Sequence, residues 1–89
     1  MIEVTLHGAE IQSREALHDA LARELHLPEW YGRNLDALYD CLGDLQEEVT
    51  LRIEHAEALE QSLGRYARAL RHMLQDADHA FQRFTFIED

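Results

Sequence analysis

Two aspartates, Asp36 and Asp40, lie four residues apart in a segment whose leucines have helical spacing. On a helix that begins near Asn34, four residues correspond to a rotation of about 40°, so both carboxylates point to the same side. Like charges at this spacing destabilise an isolated helix by about 0.2–0.5 kcal/mol. A solvated surface tolerates that cost, and a binding site for a cationic group would use the pair. The spacing alone leaves both interpretations open.

Aromatic residues flank the acidic pair. Trp30 and Tyr31 fall in a loop between Pro28 and Gly32, and Tyr39 falls on the outward half of the helix. We expect all three rings at the surface, because a core position is awkward for the two loop residues. Exposed rings beside fixed charges are typical of protein-binding surfaces, in which rings supply contact area and charges supply specificity. The segment is therefore predicted to bind another protein.

Two other groups of side chains could do chemistry. His72, Asp76 and His79 share one face of a predicted helix, at spacings at which metal ligands can converge. Three ligands along one straight helix seldom enclose an ion, so we favour a solvated face and expect no cofactor. Cys41 has no histidine near it in sequence and lies at the margin of an apolar stripe. We expect a buried, unreactive thiol there.

Hydrophobic periodicity predicts the elements that position these residues. Alternation of apolar and polar residues predicts strands at residues 2–7, 49–54 and 84–87. Helical spacing predicts four helices, at residues 14–25, 34–44, 56–63 and 66–80. Ser13 and Asn34 are suited to be the N-caps of the first two helices.

The resulting order, β-α-α-β-α-α-β, limits the fold. Each pair of successive strands is separated by enough chain for a crossover, which predicts a three-stranded parallel sheet with right-handed connections. The alternation in the first two strands indicates that helices cover one sheet face, so the predicted fold is a two-layer α/β sandwich. A chain of 89 residues suits a single domain, residues 1–89, with one core.

The charge balance narrows the function classes. Eighteen acidic residues against eight basic ones give a formal net charge of −10, which argues against nucleic acid or anionic membrane as a direct partner. It fits a basic protein partner, although acidity also keeps a protein soluble. Neither a membrane-spanning run nor a signal peptide is recognisable, and the single cysteine suits a reducing cytosol. A cytoplasmic protein is therefore expected.

Residues 27–42 read LPEWYGRNLDALYDCL, and this run resembles the barstar family of intracellular inhibitors of barnase-type ribonucleases. The family pattern is Leu-Pro, an aromatic pair, Gly-x-Asn-Leu-Asp-Ala-Leu, an aromatic residue and Asp-Cys-Leu. A looser similarity in length, element order and the first and last strands extends over the whole chain.

The resemblance implies a non-enzymatic protein that occludes a ribonuclease active site, one to one. The sequence leaves the oligomeric state open, and we expect a monomer when the protein is free. It implies that Asp40 takes the place of an RNA phosphate, that Asp36 pairs with a basic residue at the rim, and that Trp30 packs against a catalytic histidine. The implied partner-binding set is Trp30, Tyr31, Gly32, Asn34, Asp36, Tyr39, Asp40 and Asp76.

Two departures from the family pattern keep alternatives open. Arg33 places a positive charge inside the motif, and Leu45 stands near a position where the family often has an aromatic residue. They leave room for a barstar-like fold with another basic partner, such as a different toxin or a housekeeping factor. A small metal-dependent enzyme built on His72, Asp76 and His79 is the alternative from another class.

Overall fold

The computed structural model describes residues 1–88, and every predicted strand and helix is present with ends within one residue of those expected. A short 3-10 turn at Gly8–Glu10, which periodicity does not predict, follows the first strand. The elements in chain order are β1 (Ile2–His7), α1 (Arg14–Glu24), α2 (Leu35–Gly43), β2 (Val49–Glu54), α3 (Ala56–Leu63), α4 (Arg65–Ala80) and β3 (Phe84–Glu88).

The three strands form one parallel sheet in the order β1-β2-β3. The register pairs Val4 with Leu51 and Leu51 with Phe86. The apolar residues of β1 and β2 that face the core are buried, except the half-buried Ile2 at the start of β1, whereas their neighbours in sequence are exposed or half-buried. Helices therefore cover one sheet face, which confirms the predicted two-layer α/β sandwich.

Leucines from every helix meet the buried face of this sheet. The fully buried ones include Leu17 and Leu21 of α1, Leu38 and Leu42 of α2, and Leu74 of α4. Each such side chain contributes about 1.5–3 kcal/mol through removal from water. Because these side chains fix the rotation of each helix about its own axis, they also decide which polar residues face solvent.

Side-chain caps set where the first two helices begin. The Ser13 hydroxyl accepts a hydrogen bond from the Ala16 N–H at 3.0 Å, and the Asn34 side-chain oxygen accepts one from the Ala37 N–H at 2.8 Å. Both predicted N-caps are thus confirmed. Such a cap stabilises a helix by about 1 kcal/mol.

The loop between α1 and α2 has an unusual backbone. His26 and Arg33 have φ angles of 54° and 56°, in the left-handed region that non-glycine residues seldom adopt. Gly32, in the same loop, is not among the residues with positive φ. A Cβ atom at Gly32 would lie 3.2 Å from the Cβ of Ala37, so glycine permits close approach to α2 instead.

Candidate protein-binding site

Three aspartates from two helices converge in one cleft. Asp36 and Asp40 of α2 and Asp76 of α4 line a cleft of about 350 Å³, together with Tyr39 and Met73. All three aspartates are exposed, which confirms the orientation that helical spacing predicted for each of them. Packing of α2 against α4 brings Asp76 to the other two, although it lies far from them in sequence.

The part of the chain that the structure describes supplies no countercharge to this acidic cleft. Within residues 1–88, none of the three carboxylates forms an ion pair or a side-chain hydrogen bond. In the same part of the chain, no group of three or more His, Cys, Asp or Glu side chains is arranged to hold a metal ion. His72, Asp76 and His79, the residues of the metal-dependent alternative, therefore do not form such a group. The unpaired carboxylates make the cleft suited to a cationic group from another molecule.

Tyr39 forms a fixed wall of the acidic cleft. Its side chain is half-buried, and its ring packs against that of Phe81 with a distance of 4.9 Å between centroids. The ring is thus less exposed than expected, because the end of α4 covers part of it. A partner would meet a rigid aromatic edge here.

Trp30 is the exposed aromatic residue of the loop, with 78% of its surface accessible, which confirms its predicted exposure. It borders a mainly apolar cavity of about 400 Å³, whose walls include Pro28, Cys41 and Leu45. Cys41 lines this cavity while Asp40, its neighbour in α2, lines the acidic cleft. The two concave surfaces therefore lie on either side of the same helix.

Tyr31 does not lie at the surface, and the expectation that it would be exposed is wrong. It is 6% accessible, and its hydroxyl lies 2.6 Å from Nδ1 of His18 in α1. The Tyr31 N–H donates to the Pro28 carbonyl at 3.0 Å, in a turn that leaves Trp30 outside and Tyr31 inside. Burial raises the pKa of Tyr31 above its ordinary value, so the hydroxyl keeps its proton. Its side chain supports the loop from within.

His18 is a residue that sequence reasoning missed. It is 2% accessible, and its Nε2 lies 2.6 Å from the hydroxyl of Tyr66 in α4. Burial lowers the pKa of His18, the charge of Arg33 lowers it further, and the charge of Asp19 opposes both. A signal was present in the sequence, because position 18 falls on the same helical stripe as Leu21, three residues later.

Comparison with known proteins adds to this geometry. The model of one protein family, Barstar (barnase inhibitor), matches residues 1–87. The chain belongs to the barstar family. It is also 38% identical over 78 residues to a Bacillus subtilis (strain 168) protein named "Putative ribonuclease inhibitor YrdF", and this match covers 86% of each chain. The barstar match includes α2 and α4, so it spans both walls of the acidic cleft.

Arg33, the first departure from the barstar motif, is turned towards α1. Its guanidinium pairs with the carboxylate of Asp19 and donates to the Glu15 carbonyl at 3.3 Å. The hydrogen bond to Asp19 raises the pKa of Arg33. The positive charge is therefore paired within the chain and is not among the groups that line the acidic cleft.

Asn34 and Gly32 hold the junction between the loop and α2. Besides capping the helix, Asn34 donates from its side-chain nitrogen to the Gly32 carbonyl at 3.2 Å. Both polar groups of the Asn34 side chain are thus engaged locally. Contacts of Asn34 and of the Gly32 backbone with a partner remain predictions of the barstar resemblance.

Cys41 is half-buried, so the expectation of a buried thiol is only partly right. Burial raises the pKa of Cys41, and the nearby charges of Asp44 and Asp40 raise it further. The thiol is therefore protonated near neutral pH, which makes it a poor nucleophile. The second departure from the barstar pattern, Leu45, lies against the same cavity.

No helix within residues 1–88 combines the length and the apolar character needed to cross a membrane.

Proposed function

We propose that this protein inhibits a basic, barnase-type ribonuclease by covering its active site with the acidic cleft and the Trp30 loop. The observation that carries the proposal is the convergence of three carboxylates at the surface, next to an exposed tryptophan and without a countercharge among the described residues. A ribonuclease site concentrates positive potential because it binds phosphate. Carboxylates that are preset on helices can occupy such a site in place of the RNA backbone.

Each residue has a proposed role. Asp40 takes the phosphate position among the cationic groups of the nuclease, and Asp36 and Asp76 pair with basic residues at the rim. Trp30 packs on the catalytic histidine of the nuclease. The edges of the site are proposed to be formed by Gly32, Asn34 and Tyr39, with Tyr31 acting from inside the loop.

The proposed mechanism is occlusion without catalysis. One molecule binds one nuclease in the cytoplasm, and the net charge of −10 accelerates encounter with a basic protein. The free protein is proposed to be a monomer. An interface of standard size, about 1,600 Å² in total, would extend from the cleft to the Trp30 loop.

Titration of several barnase-type ribonucleases with the protein tests the proposal. We expect stoichiometric loss of RNA hydrolysis with the wild type and strong weakening with Asp40→Ala. Glu10→Ala is the matched control, because Glu10 is exposed and lies in the turn after β1, outside the cleft. The proposal fails if the wild type at micromolar excess inhibits none of the nucleases. Equal effects of the two substitutions would reject the assigned mechanism.

A second candidate is a basic partner that has no nuclease activity. The apolar cavity next to Trp30, to which Leu45 contributes, favours it because the family often has an aromatic residue near this position. Capture of a basic protein that lacks nuclease activity and competes for the acidic cleft would support this candidate. Loss of that capture in Asp40→Ala would show that the cleft is used.

A further inference from the structure

A hydrogen-bonded chain of three side chains holds the Trp30 loop from behind. His18 of α1 lies between the hydroxyls of Tyr31 and Tyr66, with 2.6 Å from each ring nitrogen to its tyrosine oxygen. The chain therefore joins the loop to α1 and α4. Within residues 1–88, His18 is the one buried residue with a basic side chain.

The neutral imidazole fits this arrangement better than the charged one. A neutral ring has one N–H donor and one bare nitrogen, so one tyrosine accepts a hydrogen bond and the other donates one. A charged ring donates from both nitrogens, and both hydroxyl hydrogens then need other acceptors. The buried Tyr31 hydroxyl has no acceptor other than His18 within residues 1–88. Protonation of His18 would leave that buried hydroxyl hydrogen without a partner.

On balance, the surrounding charges also favour the neutral form of the His18 imidazole. Arg33 in the loop disfavours a charge on His18, and the Arg14 guanidinium lies 4.2 Å from the ring centroid of Tyr66. Asp19 of α1 is the opposing carboxylate, but it is already paired with Arg33. Cys41 of α2 interacts electrostatically with Tyr31, and its thiol is protonated near neutral pH.

We propose that His18 and Tyr66 are positioning residues for the partner-binding loop, and that protonation of His18 in mildly acidic solution releases Tyr31 and moves Trp30 out of its binding position. This inference rests on the proposed function only for its effect on a nuclease. The proposed movement of the loop in the free protein rests only on the contacts of His18 with Tyr31 and Tyr66.

The direction of the pH effect follows from the two states of the loop. In the held loop the pKa of His18 lies below 6.5, and in the released loop it returns towards that ordinary value. The released loop therefore binds more protons as the pH falls below about 6.5, so acid favours release. The held loop is fully favoured above that pH, where both states are neutral.

Trp30 is the only tryptophan in the sequence, so its fluorescence reports on the loop in the free protein. We expect an emission change between about pH 6.5 and pH 5 while far-UV circular dichroism stays constant, because this is the range in which histidine titrates. The change should be absent in His18→Gln. His26→Gln is the control and should retain it, because His26 borders the same cavity as Trp30 and forms no hydrogen bond with His18 within residues 1–88. An identical transition in His18→Gln, or one that coincides with loss of helix, would overturn the inference.

A measurement on the wild type covers the case in which His18→Gln does not fold. The ring resonances of His18 are followed by NMR over the same pH range. We expect the His18 midpoint to coincide with the Trp30 fluorescence midpoint. Midpoints that clearly differ would overturn the inference without any variant.

Inhibition of a barnase-type ribonuclease extends the test to function. Between about pH 7.5 and pH 5.5, we expect the wild type to lose several-fold more inhibition than His18→Gln, because only the wild type has the His18 imidazole to protonate. Both proteins are tested against the same nuclease, so the titration of the nuclease itself cancels. Equal losses would limit the switch to the free protein and reject its role in binding. If neither protein inhibits at neutral pH, the proposed function fails, whereas the fluorescence result stands by itself.

Discussion

Helix α4 contributes to two acidic regions that differ in how their charge is balanced. At one, Asp76 shares a cleft with Asp36 and Asp40 of α2, and no cation of residues 1–88 pairs with any of them. At the other, Arg71 pairs with Glu60 of α3 and with Glu88 of β3. The difference separates acids that serve the fold from acids that are open to a partner.

The paired region, formed by Arg71, Glu60 and Glu88, connects elements of the fold. Arg71 donates from Nε to Glu88 at 3.0 Å and also bonds both carboxylates through its terminal nitrogens, so it links three elements. The hydrogen bond to Glu88 raises the pKa of Arg71 above its ordinary value. Two or more hydrogen bonds between one guanidinium and its carboxylates fix geometry as well as charge. Within residues 1–88, the acidic cleft has no such internal partner.

The largest expected effect is on inhibition, and it is expected for a substitution in the acidic cleft but not for one in the paired region. Asp40→Asn keeps the shape of the side chain and removes its charge, so we expect inhibition of a barnase-type ribonuclease to weaken by about 2–5 kcal/mol, because a cationic pocket of the nuclease would be left unpaired. Glu60→Gln removes an acid from the paired region and is expected to leave inhibition unchanged. Inhibition titrations of both variants measure the contrast. Similar losses in both would mean that overall charge, and not the cleft, drives binding.

Salt concentration is expected to have the second-largest effect, and this effect is on the association rate. We expect the association rate with a basic nuclease to fall by about tenfold or more between low and roughly 0.5 M salt, because screening shortens the range of the acidic field. Stopped-flow measurements of the wild type and of Asp36→Asn check this, and the variant should show a shallower dependence. A rate that is insensitive to salt would contradict electrostatic steering by the cleft.

Breaking the paired region should change stability instead of binding. Arg71→Met removes the cation of Glu88 and leaves Glu60 with only the exposed Arg68. We expect the free energy of unfolding to fall by about 1–2 kcal/mol, discounted for partial exposure. Arg68→Met is the matched control on the same helix, because Arg68 is mostly exposed and lies 3.6 Å from Glu60. Denaturant melts compare the two variants. A loss of inhibition in Arg71→Met without a loss of stability would reject the division between the two regions.

The sequence predicts what periodicity and local chemistry determine. Asp36 and Asp40 face outward because Leu38 and Leu42 face inward, and Asn34 fixes where their helix begins. The outward position of Asp76 follows from the buried Leu74 in the same way. These features need only helical geometry and the preference of apolar side chains for the core.

Features that depend on contacts across the fold could not be predicted. Tyr31 is buried because it reaches a histidine 13 residues away, and that histidine reaches a tyrosine 48 residues further along. Arg33 turns to α1 through a left-handed backbone conformation that no pattern of residue types indicates. The convergence of Asp76 with the acids of α2 likewise requires the packing of two helices. Loop direction and helix packing are thus the information that the structure adds.

The smallest expected effect tests whether the acidic cleft costs the free protein stability. Asp40 lies close to the end of α2 at Gly43, where the helix dipole disfavours a negative charge, and it also faces Asp36 one turn away. We therefore expect Asp40→Asn to raise the free energy of unfolding by about 0.2–0.5 kcal/mol, although the same variant loses inhibition. Asp36→Asn is the matched control, because Asp36 lies in the first turn, where the dipole favours its charge and offsets the repulsion. Thermal melts at low salt measure both variants. If Asp40→Asn were instead less stable than the wild type, its carboxylate would serve the fold as Glu60 does, and the distinction between the two acidic regions of α4 would be lost.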